Sequence, residues 1–300
     1  MIHFTHSDLD ALGCMLCVNT KYNNISKTYH TYYGDFSEQV QNILNDSDEH
    51  VMITDLCFGD HKDDLIKLIN NKKAVILFDH HSYSKDFFND LDTKPNFRRF
   101  INTKHCASTE CFNKFKIDND NFKFLIRMIN IYDTWKQNDE LFYNAQRLNK
   151  WFWTKNIDEL ADYLIKNDYC LPSNYLPSAQ KIVDDDLEKM NEIEKACLKQ
   201  CGCVSFVFSH TCFNDIVIQQ HKCRQAFVIG IYNNIYKVRV NQNWDFSEND
   251  LNELRMKVMG QIYGHPYAFT YKHEGDLTEE CKRLGILLNN FVQEHSFLPF

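Results

Sequence analysis

Short apolar runs alternate with amphipathic stretches along the first half of the chain. In the amphipathic stretches, apolar residues recur at helical spacing, as at Phe36, Val40 and Leu44. The predicted strands are Met1–Thr5, Tyr29–Tyr33, His50–Thr54, Ala74–Phe78 and Phe97–Ile101. The predicted helices are Ala11–Val18, Phe36–Leu44, Asp60–Asn70, Ser108–Phe115, Phe122–Trp135 and Asn156–Lys166. This alternation predicts an α/β fold whose N-terminal parallel sheet is flanked by helices.

The second half begins after a break marked by Pro172 and Pro177. A long charged helix is predicted from about Ser178 to Gln200. The predicted elements after it are the strands Cys203–Phe208, Asp215–Val217, Ala226–Tyr232 and Tyr236–Val240 and the helices Asn249–Gly260 and Thr278–Gln293. We therefore expect a domain at residues 1–172, a connecting helix at 173–202 and a smaller α/β domain at 203–300.

Composition narrows the class of protein. With 44% hydrophobic and 14% aromatic residues, the chain can build a substantial core. It has neither a secretory signal nor an apolar run of about 20 residues, so we expect a cytoplasmic protein with no membrane span and with reduced thiols. The net charge of −8 argues against a long nucleic-acid duplex as partner, but a short nucleotide held by metal ions stays open.

Acidic residues and histidines follow three of the predicted strands. Asp79-His80-His81 follows the fourth strand, Asp8 and Asp10 follow the first, and Asp55 follows the third. Such residues at the end of a buried strand are costly unless a cation or a phosphate meets them. Since the carboxyl ends of parallel strands meet at one edge, we expect one assembled metal site there. A single Asp after a strand often only caps the next helix, and this alternative requires several coincidences for the whole set.

A two-metal site needs oxygen and imidazole ligands that converge, with one carboxylate able to bridge the ions. Asp8 and Asp10, two residues apart, can serve neighbouring ions, and Asp55 is the natural bridge. Asp133 shares the inward face of its predicted helix with Ile129 and is expected to close the site. The ligands predicted from the residues alone are Asp8, Asp10, Asp55, His80 and Asp133.

The same residues resemble the signature motifs of the DHH phosphoesterases, and more narrowly the bacterial nano-RNase B group. The segments that carry the resemblance are Phe4–Cys14, Ile53-Thr54-Asp55-Leu56, Asp79-His80-His81, Ala107-Ser108-Thr109-Glu110, Tyr132-Asp133-Thr134-Trp135 and Ala145–Asn149. The resemblance covers essentially the whole chain, weakly between residues 170 and 230. It implies a DHH domain, a connecting helix and a DHHA1-like domain, with the active-site cleft between the domains.

The resemblance also implies roles for further residues of the first domain. His6 becomes a metal ligand, although a strand-end histidine satisfied by its surroundings is a serious alternative. His80 binds metal, His81 lies near metal and phosphate, and Asp79 orients an imidazole. Ser108 is expected to hydrogen-bond near the site as a substrate-binding residue, with the N-cap of its helix as the alternative.

The C-terminal half resembles the DHHA1 domain of these enzymes. Arg239 stands where the family has a strand arginine, and Gly264-His265 stands in its glycine-rich segment, so both are expected to bind substrate phosphate. This chain departs from the pattern because Gln261-Ile262-Tyr263 replaces the usual glycines. Ala11 likewise stands where glycine is frequent in the group. The first change leaves the substrate preference open.

The function implied is a two-metal phosphodiesterase that hydrolyses short RNA or DNA oligonucleotides to mononucleotides, with Mn²⁺ as the first expectation and Mg²⁺ as the alternative. A nucleotide phosphatase or a cyclic (di)nucleotide phosphodiesterase would use the same centre. A non-catalytic nucleic-acid-binding module is the alternative from another class. The oligomeric state stays open, with a homodimer among the alternatives.

Two groups of cysteines are weighed as metal sites and set aside. Cys14-x-x-Cys17 falls within a predicted helix, where both thiols are expected to pack inward, and no second CxxC completes a zinc site. A looser C-terminal group has spacing that fits no standard zinc module. Its members are Cys197, Cys201, Cys203, His210, Cys212, His221 and Cys223.

Overall fold

The chain forms two units, residues 1–180 and 181–300, in a computed structural model. The structure describes residues 1–32, 35–84, 86–136, 138–208, 227–232, 235–240, 246–258, 261–265, 267–272 and 275–295. None of the helices in these ranges is both long enough and apolar enough to span a membrane.

The first unit contains a five-stranded sheet in which all neighbours pair in parallel. Its strands are β1 (Ile2–Thr5), β2 (Lys27–His30), β3 (His50–Thr54), β4 (Ala74–Asp79) and β5 (Phe97–Ile101). The order across the sheet is β2-β1-β3-β4-β5. The connection from β1 leads to β2 on one side, and the connection from β3 leads to β4 on the other. The switch point of the sheet therefore lies between β1 and β3. Ligands bind outside the carboxyl ends of the strands at such a point.

Helices cover both faces of this sheet, as the sequence pattern predicted. They are α1 (Leu9–Lys21), α2 (Phe36–Asn45), α3 (Lys62–Asn71), α4 (Ala107–Phe115), α5 (Asp120–Asp133), α6 (Phe142–Phe152) and α7 (Ile157–Lys166). On one face, Phe4 of β1 packs in a buried cluster with Phe36 and Val40 of α2 and Leu65 of α3. On the other face α1 and α4 pack together, and Phe115 of α4 stacks edge-on against Phe78 of β4.

The second unit is built on a mixed six-stranded sheet. Its elements follow the helix α8 (Tyr175–Cys197) and are β6 (Leu198–Cys201), β7 (Val204–Phe208), β8 (Phe227–Tyr232), β9 (Ile235–Val240), α9 (Glu248–Lys257), β10 (Gln261–His265), β11 (Ala268–Lys272) and α10 (Leu277–Glu294). The order is β10-β11-β9-β8-β7-β6, with only β7 and β8 parallel. Apolar side chains of this sheet, α9 and α10 form a separate core.

Several elements differ from the sequence prediction. The second strand is Lys27–His30 rather than Tyr29–Tyr33, and α6, β6, β10 and β11 were missed. The stretch around Gly264, predicted as a glycine-rich segment, pairs instead as an antiparallel hairpin with Ala268–Lys272, in which Phe269, Thr270 and Tyr271 favour a strand. The predicted strand Asp215–Val217 lies outside the described residues.

The helix predicted to connect the domains is α8, and the division between the two units falls after its residue Gln180. Cys14 and Cys17 are fully buried within α1, as expected. In the looser cysteine group, His210, Cys212, His221 and Cys223 lie outside the described residues, as do the side chains of Cys197 and Cys201.

Candidate metal centre

Side chains from the ends of β1, β3 and β4 and from three helices converge at one edge of the first sheet. At this edge the side chains form three groups, and within each group the possible ligand atoms lie within 4.8 Å of one another. The groups are Asp55 with Asp79, His80 and His81; His6 with Asp8 and Asp55; and Asp10 with Cys106 and Asp133. Asp55 belongs to two of these groups. All six ligands predicted in the first unit therefore lie in this set, together with Asp79 and His81.

Asp55 occupies the centre of the arrangement and is strained to reach it. Its φ of 55° lies in the left-handed region, which Asp adopts more readily than most residues, and its N–H donates to the carbonyl of Phe78. Its Oδ1 is 3.3 Å from His80 Nε2, while no described residue donates a hydrogen bond to the buried Oδ2. Burial and the carboxylates of Asp8 and Asp10 raise its pKa well above the usual range. Asp55 therefore lies among carboxylates that disfavour its ionisation, and a cation bound beside it would favour the ionised form.

Asp133 is the last residue of α5, where the negative end of the helix dipole disfavours an acid. Its Oδ2 lies 3.5 Å from His80 Nδ1. Burial and then the neighbouring Asp10 and Asp8 raise the pKa of Asp133 well above its ordinary value. Both the helix dipole and the neighbouring carboxylates disfavour the ionised form of Asp133. A cation bound beside it would favour that form.

Asp8 combines the helix-cap role and the site role, which the sequence argument treated as alternatives. It is the N-cap of α1, where its Oδ1 accepts from the N–H of Ala11 at 3.0 Å. Its Oδ2 lies 2.9 Å from His6 Nδ1. Burial opposes ionisation of Asp8, but His6 outweighs it and lowers the pKa of the carboxyl group. One oxygen therefore begins the helix while the other faces the site.

Asp10 joins the first motif to α4. Its carboxylate accepts the N–H of Ala107 at 2.7 Å and both the N–H and the hydroxyl of Ser108, at 3.1 and 2.5 Å. The carboxylate thus lies at the N-terminus of α4, where backbone donors and the helix dipole stabilise an anion. Cys106 is the N-cap of this helix, so Ser108 does not cap it.

Asp79 is fully buried and positions the two histidines that follow it. Its Oδ1 accepts from the N–H of His80 at 2.8 Å and lies 2.7 Å from His81 Nδ1. The hydroxyl of Tyr83 makes a short contact with Oδ2 and also lies 3.1 Å from the carbonyl of Leu56. Burial opposes ionisation of Asp79, but His81 and His80 hold its pKa below the usual value.

Sequence reasoning missed two residues at the site, Cys106 and Tyr83. Cys106 is fully buried, its Sγ is 3.2 Å from Ser108 Oγ, and it shares a group with Asp10 and Asp133. It directly precedes the Ala107–Glu110 motif segment, and this position was the sequence feature that could have indicated its place at the site. Tyr83 follows the histidine pair by two residues, but nothing in its spacing indicates that its hydroxyl returns to Asp79.

Gly13 brings α1 and α4 close together behind Asp10. A Cβ at this position would lie 2.6 Å from Ser108 Cβ, a distance that real Cβ atoms essentially never show, and 3.0 Å from Ile129 Cδ1, which would have to shift slightly. Glycine therefore sets the spacing of α1, α4 and α5, and with it the geometry of the Asp10–Ser108 contact.

The predicted phosphate-binding residues belong to the second unit. Arg239 is 9% exposed in β9 and its Nη1 donates to the carbonyl of Val238 at 3.0 Å. Gly264 in β10 has a φ of 116°, a conformation that favours glycine, and its carbonyl accepts from Arg255 at 3.3 Å. The side chain of His265 lies outside the described residues. Their phosphate-binding roles remain predictions.

The donor set fits divalent cations. Carboxylate oxygens and imidazole nitrogens converge from separate elements, as Mn²⁺ and Mg²⁺ sites require. Within the described part of the chain, nothing donates a hydrogen bond to the buried Oδ2 of Asp55, and the pKa of Asp55 and of Asp133 is raised by burial and by neighbouring carboxylates. A divalent cation bound there would offset the repulsion among these carboxylates, which otherwise favours their protonated forms.

No family model matches the chain, and no curated protein matches it by sequence. Several solved structures share its fold. The pGpG-specific phosphodiesterase PggH from Vibrio cholerae has a TM-score of 0.59 at 16% identity, over 96% of this chain and 99% of that one. RecJ from Thermus thermophilus, in complex with Mn²⁺, has a TM-score of 0.62 at 11% identity, over 98% of this chain and 52% of RecJ. A DHH domain of a member of the s1p family of ribosomal proteins has a TM-score of 0.59 at 14% identity, over 100% and 87%.

These likenesses confirm the predicted resemblance to the DHH phosphoesterases at the level of the fold. Identities of 16% and below carry the comparison no further than the fold. The narrower likeness to the nano-RNase B group stays a prediction.

Proposed function

We propose that this chain is a metal-dependent phosphodiesterase of the nano-RNase type, which hydrolyses short oligonucleotides to mononucleotides. The observation that carries the proposal is that two groups of carboxylates and imidazoles have Asp55 in common, at the switch point of a DHH fold. Solved structures with this fold include a pGpG-specific phosphodiesterase and RecJ in complex with Mn²⁺. The first of these matches nearly the full length of both chains, which favours a small nucleotide substrate here.

The residues that would hold two divalent ions are His6, Asp8, Asp10, Asp55, His80 and Asp133. When bound, such ions activate a water nucleophile and offset charge on the phosphoryl oxygens, and Mn²⁺ is our first choice of ion. Asp55 would be able to serve both ions, because it belongs to two of the three groups. Three donors of α4 hold the carboxylate of Asp10 in its orientation.

His81 and Asp79 supply the protein's own acid–base chemistry in this proposal. The Nδ1 of His81 is engaged with Asp79, so Nε2 is the nitrogen that would face a phosphate oxygen. A carboxylate that holds one ring nitrogen of an imidazole fixes the orientation of the ring. His81 would therefore stabilise charge on the phosphate and give a proton to the leaving oxygen. Arg239, Gly264 and His265 of the second unit would bind a terminal phosphate of the substrate.

Two other functions use the same centre. A nucleotide phosphatase or a cyclic dinucleotide phosphodiesterase would differ in substrate rather than in ligands, and a panel of short RNA, short DNA, cyclic dinucleotides and 3′,5′-bisphosphate nucleotides separates them. A non-catalytic module would bind Mn²⁺ and oligonucleotide without turning over any member of this panel.

Asp55→Asn tests the centre because asparagine also adopts the left-handed conformation, so the backbone is kept while one ligand charge is removed. We expect the initial rate on a labelled RNA dinucleotide with Mn²⁺ to fall more than about 100-fold, since even an outer partner of a ligand typically costs 10–100-fold. Asp168→Asn is the matched control, because Asp168 also has a positive φ, of 50°, but contacts Asn119 and Asn121 at the other end of α5.

The control should keep the wild-type rate, and both variants should keep the wild-type circular dichroism spectrum. Wild-type rates in the folded Asp55→Asn variant would contradict the proposal. Wild-type protein that binds Mn²⁺ but hydrolyses none of the panel would favour the non-catalytic alternative.

A further inference from the structure

Tyr32 is a solvent-exposed aromatic residue at the edge of the candidate metal centre. Its side chain is 56% exposed, and its ring meets the ring of His6 edge-on, with centroids 6.0 Å apart and planes at 73°. His6 in turn lies 2.9 Å from Asp8 and shares a group with Asp8 and Asp55. A single imidazole therefore separates the phenol ring from two candidate metal ligands.

The backbone beside Tyr32 is fastened to the end of β1 and to the start of α2. The N–H of Thr31 donates to the carbonyl of Thr5 at 3.0 Å, and Ser7 Oγ donates to the carbonyl of Thr31 at 3.3 Å. On the other side, Asp35 Oδ1 accepts the N–H of Tyr32 at 2.8 Å and the hydroxyl of Thr31 at 2.7 Å. Residues of the first motif thus set where Tyr32 stands, so its place beside His6 is built into the fold.

A ring in this place matches the chemistry of a nucleotide. A nucleobase is joined to its phosphate through one sugar, and the scissile phosphate must lie at the metal ligands for the proposed reaction. Every base offers a π-face, so an exposed, preorganised aromatic ring binds it without demanding a particular sequence. The core does not require Tyr32, since more than half of its side chain is in solvent.

We infer that Tyr32 is a stacking platform for the nucleobase next to the scissile phosphate, and so a substrate-binding residue of the first unit. This inference rests on the proposed phosphodiesterase function and specifies part of its substrate site. The ligand class is a nucleoside base held by ring stacking, with little discrimination between purines and pyrimidines.

The test compares Tyr32→Ala and Tyr32→Phe on two substrates, the RNA dinucleotide pApA and the same backbone with both bases removed. For pApA, Tyr32→Ala should raise KM roughly 5- to 100-fold, the effect expected from the loss of one base–aromatic stack, with kcat changed far less. Tyr32→Phe should stay within about twofold of wild type because the π-face is kept. For the base-free compound, all three proteins should give the same kcat/KM.

Phe124→Ala is a matched control, because Phe124 is a similarly exposed aromatic residue, at 50%, on α5. It should leave both substrates unaffected. An equal loss on both substrates in Tyr32→Ala would assign the residue to positioning His6 and overturn the inference, as would wild-type KM for pApA. If the wild-type protein hydrolyses neither compound, the proposed function itself has failed, and the two failures are thus distinguishable.

Discussion

Some carboxylates at the candidate metal centre also accept hydrogen bonds that hold helices in place. Asp8 begins α1 with one oxygen, and Asp10 accepts three hydrogen bonds from α4. Substituting either residue would therefore change stability and metal binding together. Asp55 differs because its Oδ2 accepts no hydrogen bond from any residue that the structure describes, and because burial and Asp8 raise its pKa. For this reason Asp55 is the residue whose substitution reports on the centre most directly.

His3, in β1, should make the free energy of unfolding depend on pH, and a single substitution can test its contribution. It is fully buried in β1, with Nε2 2.8 Å from Thr54 Oγ1, and burial lowers its pKa from 6.5 to about 3. Between these values the unfolded chain binds one more proton than the folded one. The free energy of unfolding should therefore fall as the pH drops from 6.5 towards 3, by up to roughly 1.4 kcal/mol per pH unit.

His3→Gln removes this titration and should flatten the curve of unfolding free energy against pH, measured by urea denaturation between about pH 7 and pH 4.5. His50→Gln, at the exposed start of the neighbouring strand β3, should keep the wild-type curve. An unchanged slope in His3→Gln would show that another group dominates the acid response.

At the scale of elements, the centre depends on how α1 packs against α4. The end of β1 passes directly into α1, so the ligands of the first motif lie on or beside that helix, while Ala107 and Ser108 of α4 hold Asp10 from the other side. This contact joins residues 97 positions apart in sequence. The distance between α1 and α4, which Gly13 sets, therefore also sets the geometry of the Asp10 carboxylate.

Gly13→Ala tests that coupling. Alanine favours a helix over glycine by up to roughly 1 kcal/mol, but its Cβ would lie 2.6 Å from Ser108 Cβ, and overpacking typically costs about 1–3 kcal/mol. We expect a net loss of stability in urea denaturation and weaker Mn²⁺ binding in calorimetry. Gly59→Ala is the control, since its Cβ would meet only Cys57 Sγ, at 3.6 Å. Stabilisation by Gly13→Ala would show that the helices separate without cost.

At the scale of the whole molecule, the predicted metal ligands are divided unevenly between the two units. The chain carries 41 acidic against 33 basic residues. All the predicted metal ligands lie in the first unit, and each unit has its own apolar core. Because a ligand that binds only the folded state stabilises the part of the structure that it contacts, metal binding should act unequally on the two units.

Hydrogen exchange with and without Mn²⁺ measures this difference. Protection should increase in peptides covering the ends of β1, β3 and β4 and the start of α4, because the ion offsets the repulsion among the buried carboxylates. Peptides covering β8 and β9 should change little. Equal gains in both units would contradict the assignment of the metal ligands to the first unit alone.

The amino-acid sequence by itself determined the parallel α/β sheet and the acidic ends of its strands. Periodicity defines strands and helices locally, and the carboxyl ends of parallel strands must share an edge, so Asp8, Asp55 and Asp79 could be placed together without coordinates. Tertiary structure alone decided that Cys106 enters the centre, that Tyr32 lies beside His6, and that Gln261–His265 pairs in a hairpin. These features depend on packing between segments distant in the chain, which no local pattern of hydrophobic and polar residues records.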